Sequence, residues 1–347
     1  MVVVRPAHET DLDAVVNLAA EATAGITTLP CDREVLRRRV AQSCRSFEVM
    51  PDRPQGEVYQ FILEDIAAKR VVGTCGMVSK VGGFEPFYAY RVVTRVHESL
   101  MLNVRKEIQE LQLVREHNGP CEIGSLFLTA PYRRGGHGRL LSLSRFLFLA
   151  EHPQAFETVV IAEMRGVIDR AGHSPFWEAL GRHFFDVELP EADHLSMVNK
   201  RFIAELLPTQ PIFIPLLPRE AQEVIGHVHE ETRPALKLLR DEGFRQTNMV
   251  DIFDGGPLVS CRLPEIRTVR ESRRATVAAI HEDLPDAETF LVSNARPDFR
   301  AGRSAVQELA DGTVRLPRET ASALEVVVGD TVRIVSPRPK GAEGASQ

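Results

Sequence analysis

The first third of the chain alternates strand patterns with helical ones. Apolar residues 2–4 predict a strand, and residues 10–19 then place apolar side chains at helical spacing behind a Thr-x-x-Asp capping pattern. Residues 59–63 and 71–78 predict a β-hairpin, because a polar turn separates two short apolar runs. Residues 97–116 mix apolar and charged positions at roughly helical spacing, so we expect a helix there.

The middle of the chain contains the most informative unit. Residues 123–128 predict a strand, residues 129–138 form a glycine-containing loop, and residues 140–147 predict a mostly apolar helix. A further strand is expected over residues 158–162. The loop therefore joins the end of one strand to the start of a buried helix.

A similar order of elements then occurs twice. Residues 174–181 predict a helix that opens with Ser-Pro and stops at glycine, and residues 185–189 alternate like a strand. Residues 232–243 again predict a helix that ends at glycine, and residues 244–253 lead into a strand. The two units share a pattern but few identical residues, which suggests a duplicated module.

Length agrees with more than one module. The chain has 347 residues, and domains average roughly 150 residues, so one large or two ordinary domains are expected. We predict an α/β (α+β) fold with one module over residues 1–195, a second over 196–336 and a flexible tail over 337–347. Short strand patterns after residue 266 either extend the second module or form a small cap.

Composition excludes several classes of protein. The chain has 42 basic and 48 acidic residues, a net charge of −6, so no global field attracts nucleic acid or anionic lipid. Five scattered cysteines without CxxC spacing argue against a disulfide framework or a zinc cluster. Neither a membrane-length apolar run nor a signal-peptide pattern is present, so we expect a soluble cytoplasmic protein with reduced thiols.

The loop Arg133-Arg134-Gly135-Gly136-His137-Gly138 is the main candidate for binding chemistry. Its backbone amides and the following helix N-terminus can face an anion, and the glycines allow that anion to approach the main chain closely. The loop matches neither a Walker A nor a GxGxxG pattern, which disfavours ATP and dinucleotides. An ordinary glycine-rich turn with solvated arginines is the alternative interpretation.

The loop resembles the coenzyme A pyrophosphate loop of the GNAT superfamily of acyl-CoA N-acyltransferases, and the order of elements from residue 2 to 189 is similar to that superfamily. Longer segments resemble the arginine N-succinyltransferase family more closely. They are Ile26–Pro30, Tyr90–Val92, Ser125–Leu128, Ser142–Phe148, Ala162–Val167, Ser174–Glu178, Leu180–Phe185, Phe202–Leu206, Val224–His229 and Val250–Pro257. The chain departs from the family near His137, where members often carry an asparagine.

The resemblance implies a fold of tandem acyltransferase-like modules, each a mixed β-sheet flanked by helices. It also implies transfer of a succinyl group from succinyl-CoA to the α-amine of L-arginine, the first step of an arginine degradation route. Neither a metal nor a permanently bound cofactor is required. His229, in the second module, corresponds to the proton donor of the family, and Leu126 to a position that contacts succinyl-CoA. Arg133, Gly136 and Gly138 are carried over as residues of the pyrophosphate loop.

The residues that hold the two charged ends of the substrates are less constrained. The guanidinium of arginine needs a carboxylate, and the succinyl carboxylate needs a cation. Glu163 and Arg165 are candidates for these roles, with Asp251 and Asp254 as alternative carboxylates and structural ion pairs as the competing interpretation.

Substrate preference and assembly stay open at this stage. Ornithine is a possible second acceptor, because it differs from arginine mainly in lacking the guanidinium. Assembly as a homo-oligomer or with a paralogue is expected, and a catalytically silent subunit is the alternative from another functional class. We expect no nucleic acid or membrane partner.

Overall fold

The computed structural model describes residues 1–22, 29, 32–83, 85–169 and 171–339. These residues form a mixed α/β structure, which confirms the predicted fold class. Of the family-like segment Ile26–Pro30, only Leu29 lies within the described residues, and the predicted tail is described as far as residue 339.

Fifteen strands are found in the described part of the chain. They are β1 Val2–Pro6, β2 Val58–Asp65, β3 Arg70–Val78, β4 Phe87–Ser99, β5 Val104–Glu116, β6 Cys121–Leu128, β7 Val159–Glu163, β8 Ile212–Phe213, β9 Arg245–Val250, β10 Pro257–Arg262, β11 Arg273–His281, β12 Glu288–Asn294, β13 Ala301–Glu308, β14 Val314–Pro317 and β15 Thr331–Val335.

The same part of the chain contains eleven α-helices. They are α1 Leu12–Glu21, α2 Arg33–Glu48, α3 His137–Glu151, α4 Pro175–Ala179, α5 Gly181–Phe185, α6 Leu189–Val198, α7 Arg201–Leu206, α8 Arg219–Val224, α9 Arg233–Asp241, α10 Arg267–Glu271 and α11 Arg318–Leu324.

The strands join into one extended sheet in the order β12-β15-β11-β14-β13-β1-β2-β3-β6-β7-β10-β9-β4-β5-β8. Most neighbours are antiparallel, but β6 and β7 run parallel, as do β11 and β14. Strand β12 also pairs with β13, so the five C-terminal strands close on themselves around a small apolar core.

The unit at the centre of the chain has the predicted form. Strand β6 leads through the glycine loop into α3, a helix with buried residues on nearly all of its faces. Such a helix needs cover on several sides, and α3 packs against β3, β6 and the C-terminal strands β12 and β13. The hairpin β2–β3 and the strand at β7 are confirmed as well.

Two local predictions were wrong. Residues 97–116 form the ends of the long antiparallel hairpin β4–β5, which turns at Asn103 with a left-handed φ of 49°. Pairing along thirteen positions on each strand outweighed the weak helical spacing. Residues 185–189 are not a strand either, because Asp186 ends α5 in a left-handed conformation and Pro190 stands in the first turn of α6.

The sheet runs across the predicted module boundary at residue 195. Strand β10 pairs with β7, and β9 pairs with both β10 and β4. Strands β9 and β10, beyond the predicted boundary, therefore continue the sheet that the strands before it begin. The division into residues 1–195 and 196–336 stays a prediction.

Candidate functional site

Strands β6 and β7 diverge soon after they begin. Among the described residues, their paired positions are Cys121 with Val160 and Glu122 with Ile161. Beyond these pairs β6 bonds to β3 and β7 bonds to β10, so the facing edges of the two strands separate. Separated parallel strands leave main-chain groups that an extended ligand can reach.

A β-bulge lies in the separated part of β6. Its partner strand advances by two residues, from Gly76 to Thr74, while β6 advances by three, from Gly124 to Phe127. Ser125 within this interval has a φ of 53°, which is unusual for a residue other than glycine. Bulges redirect backbone and side-chain groups next to active sites. Leu126, the predicted succinyl-CoA contact, follows Ser125 in this bulge and is half-buried.

The glycine loop lies directly after β6. Gly135 and Gly136 both adopt left-handed conformations, with φ values of 65° and 80°, and Gly136 is the N-cap of α3. The His137 N–H donates to the carbonyl oxygen of Arg134 at 3.3 Å, and the next amides of the first helical turn have no partner within the helix. The guanidinium of Arg303 donates to the carbonyl oxygen of Gly135 at 2.7 Å and fixes the loop from outside.

Arg133 and Gly138, the other predicted residues of the pyrophosphate loop, differ in what they contact. Arg133 donates through Nε to the carbonyl oxygen of Leu128 at 2.9 Å, and its guanidinium lies 5.7 Å from the centre of the Phe127 ring. That side chain therefore helps to hold the loop itself. A Cβ added at Gly138 would meet only Leu128, at an ordinary 3.9 Å, so the protein leaves free space beside this residue.

A cavity of about 500 Å³ lies between α2 and strands β3, β6 and β7. Three carboxyl groups line it, Glu122 from β6, Glu163 from β7 and Asp251 after β9. The topology explains their meeting, because the sheet order places β6, β7, β10 and β9 side by side. Glu163 is thus brought to a common cavity with one of its predicted alternatives, Asp251.

Burial raises the pKa of all three carboxyl groups. The pKa of Glu163 lies well above its usual range, because burial and the neighbouring charges of Glu122 and Asp251 all disfavour ionisation. At Glu122 the positive charges of Lys200 and Arg39 lower the pKa and so offset part of the rise that burial causes. A cationic ligand would relieve this penalty by pairing with carboxylates that otherwise resist ionisation.

Asp254, the other alternative carboxylate, has a structural role. Asp254 is buried and does not line this cavity. Its two carboxylate oxygens accept hydrogen bonds from the backbone N–H groups of Gly166 and Gly256 at 2.7 and 2.8 Å. A Cβ at Gly256 would come within 2.1 Å of the carbonyl oxygen of Met164, so this approach requires glycine. Asp254 joins the end of β7 to the turn before β10.

His229 lies at the start of a short 3₁₀ turn before α9. The side-chain Nδ1 of His229 accepts a hydrogen bond from the backbone N–H of Glu231 at 3.2 Å. The backbone N–H of His229 donates to the carbonyl oxygen of Arg165 at 2.9 Å. A neutral imidazole whose Nδ1 accepts must carry its proton on Nε2. The turn thus fixes both the position of His229 and the nitrogen that holds its proton.

Arg165 lies beside His229 rather than in the carboxyl cavity. Its side chain is 11% exposed, and its nearest acid is Glu231, at 3.8 Å from Nη1. The Nε atom is buried, without a hydrogen-bond partner within the described residues. Glu163 and Arg165 are therefore close in sequence but lie in different surroundings.

A second cavity, of about 570 Å³, adjoins this region. Arg233, Lys237 and Arg240 line it from one face of α9, and His227 and Gln246 complete its polar lining. It contains no carboxyl side chain among its lining residues, although the chain as a whole is acidic. The C-terminal end of α9 reaches the loop helix, since Arg139 contacts Asp241 at 3.5 Å.

The chain matches known proteins over nearly its whole length. The family model described as arginine N-succinyltransferase beta subunit matches residues 2–268, and the model of the C-terminal domain of that subunit matches residues 273–336. The chain belongs to the arginine N-succinyltransferase family. It is accordingly an acyltransferase.

Individual relatives agree with this assignment. The chain is 42% identical over 341 residues to an arginine N-succinyltransferase of Enterobacter sp. (strain 638), covering 96% of this chain and 97% of the relative. It is 40% identical to one of Escherichia coli (strain 55989 / EAEC), with the same coverage. The solved structure of arginine/ornithine succinyltransferase subunit AI from Pseudomonas aeruginosa superimposes with a TM-score of 0.90 at 36% identity, covering 98% and 99% of the two chains.

Several residues of this family member were missed by sequence reasoning. Glu122 and Arg39 line the carboxyl cavity, but neither stands in a recognisable motif. The three cations of α9 did carry a signal, because residues 233, 237 and 240 recur at the spacing of one helix face. Cys121 is buried in the main core, and burial raises the pKa of its thiol, as expected for a structural cysteine.

Proposed function

We propose that this chain transfers the succinyl group of succinyl-CoA to the α-amino group of L-arginine, giving N2-succinyl-L-arginine and CoA as the first step of arginine catabolism. The observation that carries the proposal is the combination of a glycine loop that follows β6 with a carboxyl-lined cavity to which both β6 and β7 contribute. Relatives named arginine N-succinyltransferase support the same reaction.

The donor binds by its phosphates and its pantetheine arm in this proposal. The pyrophosphate takes the amides at the start of α3, where Gly138 leaves room beside the main chain and the guanidinium of Arg303, 2.9 Å from the position a Cβ of Gly136 would take, adds positive charge. The backbone at Leu126 receives the extended arm in the gap beside β6. The basic cavity of α9 supplies positive charge for the phosphate on the adenosine ribose.

The acceptor binds by its positive charges. L-Arginine carries a guanidinium and an α-ammonium, and the cavity offers the carboxyl groups of Glu122, Glu163 and Asp251. Glu163 is assigned to the guanidinium, and the remaining carboxyls take up the proton that the α-ammonium must lose. Burial raises the pKa of Glu122 and Asp251, which favours proton uptake by these carboxylates.

Transfer then proceeds by direct attack. The neutral α-amine attacks the thioester carbonyl, a C–N bond forms, the C–S bond breaks, and the leaving thiolate of CoA accepts a proton. His229 donates this proton through Nε2, the nitrogen that its hydrogen bond to the Glu231 amide leaves protonated, and Nε2 takes up in exchange the second proton that the attacking nitrogen loses as the amide forms, so the imidazole stays neutral. Atoms and charge balance without a metal ion or a covalent enzyme intermediate.

Arg165 is assigned to the carboxylate of the succinyl group. It lies next to His229, and its buried Nε is unpartnered among the residues that the structure describes. Burial lowers the pKa of this guanidinium, but an arginine keeps its charge under these conditions. A bound carboxylate would satisfy the buried donor.

The test is turnover of succinyl-CoA with L-arginine and, separately, with L-ornithine. Release of the CoA thiol is followed with a thiol reagent, and the product is identified by mass spectrometry. Succinylarginine with stoichiometric CoA is the expected result. Absence of CoA release with both acceptors would refute the proposed reaction.

Assembly and location follow as further parts of the proposal. The tip of the β4–β5 hairpin exposes Leu100, Met101 and Leu102, at 97%, 92% and 71% exposed. We assign this tip to contact with another subunit, either a second copy or a paralogue, because the P. aeruginosa relative is itself named as a subunit. A Leu100→Glu variant should reduce the mass measured by light scattering.

Free thiols support a cytoplasmic location. The four cysteines that the structure describes, Cys44, Cys75, Cys121 and Cys261, are all unpaired. Within the described residues, no helix combines the length and the apolar character required to cross a bilayer.

A further inference from the structure

Arg39 contributes a partly buried guanidinium to the carboxyl cavity. It lies on α2 and lines the cavity together with Glu122 and Glu163. Its Nη2 donates to the Ser125 hydroxyl at 3.4 Å, a long hydrogen bond, and its Nε is buried without a hydrogen-bond partner among the described residues. Unsatisfied buried donors are rare in proteins and costly, so this one calls for a ligand.

The other cations of the cavity pair with an acid, face solvent or, in the case of Lys200, act on the carboxyl groups of Glu122 and Glu163, whose pKa values its charge lowers. Lys80 contacts Glu157 at 3.1 Å, and Arg38 is 63% exposed and 3.9 Å from Glu34. Burial lowers the pKa of Arg39, and Glu122 partly offsets this effect. A guanidinium nevertheless stays charged in a protein interior, so Arg39 presents a positive charge to the cavity.

We propose that Arg39 binds the α-carboxylate of the acceptor and thereby selects free α-amino acids over simple amines. This inference rests on the proposed function and names one more contact of the same site. The planar fork of a guanidinium matches a carboxylate and can bind it through two hydrogen bonds.

The position of Arg39 favours the acceptor carboxylate over that of the donor. Arg39 contacts Ser125, which lies in the bulge beside Leu126, the position assigned to the thioester arm. The α-amine must attack at this place, and the α-carboxylate is attached to the same carbon as the α-amine. The acceptor guanidinium, three methylenes away, then extends towards Glu163. The succinyl carboxylate already has a candidate partner in Arg165.

The experiment compares L-arginine with agmatine, which lacks only the α-carboxylate. The unmodified enzyme should prefer arginine in kcat/KM. In Arg39→Gln we expect kcat/KM for arginine to fall by about 10- to 100-fold, the range for losing one hydrogen-bonded charge, while the value for agmatine changes less than about threefold. Arg39→Lys should recover part of the preference. Arg37→Gln is the matched control, because Arg37 lies on the same helix, is exposed and pairs with Glu34.

Two outcomes would overturn the inference. The first is an equal loss for arginine and agmatine in a folded Arg39→Gln variant. The second is an unchanged arginine preference combined with a lost preference for succinyl-CoA over butyryl-CoA, which would assign Arg39 to the donor carboxylate.

Calorimetric titration with arginine and agmatine separates this inference from the proposed reaction. A binding preference for arginine that disappears in Arg39→Gln supports the contact even if turnover fails. Equal binding of the two ligands by the unmodified enzyme refutes the contact even if succinyl transfer is confirmed.

Discussion

His229 has a structural role and a proposed chemical role, which two substitutions can separate. Its Nδ1 caps the 3₁₀ turn before α9, and its Nε2 is the proposed proton donor. Asparagine is a good cap whose side-chain oxygen can accept the same Glu231 N–H, but it offers no atom at the Nε2 position. His229→Asn therefore preserves the cap and removes the proton donor, whereas His229→Ala removes both.

The structure gives the expected magnitude of each effect. Loss of a cap costs about 0.5–2 kcal/mol, so His229→Ala should be destabilised by roughly 1 kcal/mol while His229→Asn stays close to the unmodified protein. Loss of a general acid lowers kcat by about 10²- to 10⁴-fold, and both variants should show this loss. The change in stability depends on Nδ1 and the change in kcat depends on Nε2, so the two changes should not correlate across the variants.

Chemical denaturation and steady-state kinetics on the same samples measure both quantities. CoA release at saturating succinyl-CoA and arginine gives kcat, and a urea titration gives the free energy of unfolding. His229→Asn with kcat within about threefold of the unmodified enzyme would refute the role of His229 as proton donor. A loss of kcat confined to His229→Ala would show that the cap alone matters.

Three other predictions concern the two substrates. Glu163→Gln should raise KM for arginine about tenfold or more. Burial raises the pKa of Glu163 in the folded protein, so this carboxyl group costs more folding free energy as pH rises above about 4.3. The Glu163→Gln variant should therefore melt at a higher temperature than the unmodified protein at pH 8, and at the same temperature near pH 4. A lower melting temperature of the variant at pH 8 would contradict this. Gly138→Ala should keep the melting temperature but raise KM for succinyl-CoA, because its methyl group enters the space left for the phosphates; an unchanged KM would count against the loop. Lys237→Ala and Arg240→Ala should each raise KM for succinyl-CoA about three- to tenfold and leave KM for 3′-dephospho-succinyl-CoA unchanged. The control is Lys106→Ala, in the β4–β5 hairpin. Equal effects on both donors, or an effect of the control, would refute the assignment of the basic cavity to the ribose phosphate.

Sequence reasoning succeeded where local chemistry decides the structure. The strand, glycine loop and helix around residues 121–151 were predicted, because left-handed glycines and an apolar helix leave few alternatives. The helix opened by Ser174 and Pro175 also formed, and the Ser174 hydroxyl accepts from the Trp177 N–H. Each of these signals lies within a few residues of the structure it specifies.

Sequence reasoning failed where distant strands decide the structure. The hairpin β4–β5 resembles a helix in spacing, and only its thirteen-residue pairing with a partner strand fixes it. The carboxyl cavity unites Glu122, Glu163 and Asp251 across three separate segments. Their approach depends on the insertion of β10 between β7 and β9, an order that residue spacing does not reveal.

The end of β7 connects the two halves of the proposed reaction. Glu163 lines the proposed acceptor cavity, and two residues later the carbonyl oxygen of Arg165 accepts a hydrogen bond from the backbone N–H of His229. Asp254 holds the residue that follows Arg165 through the Gly166 amide, and glycine at 256 allows that approach. A small shift of this segment would therefore move the proton donor relative to the acceptor carboxylates. Because misplacement by about 1 Å can cost about 10²-fold in rate, we expect the buried Asp254 clamp to matter for turnover even though Asp254 lies outside the cavity lining.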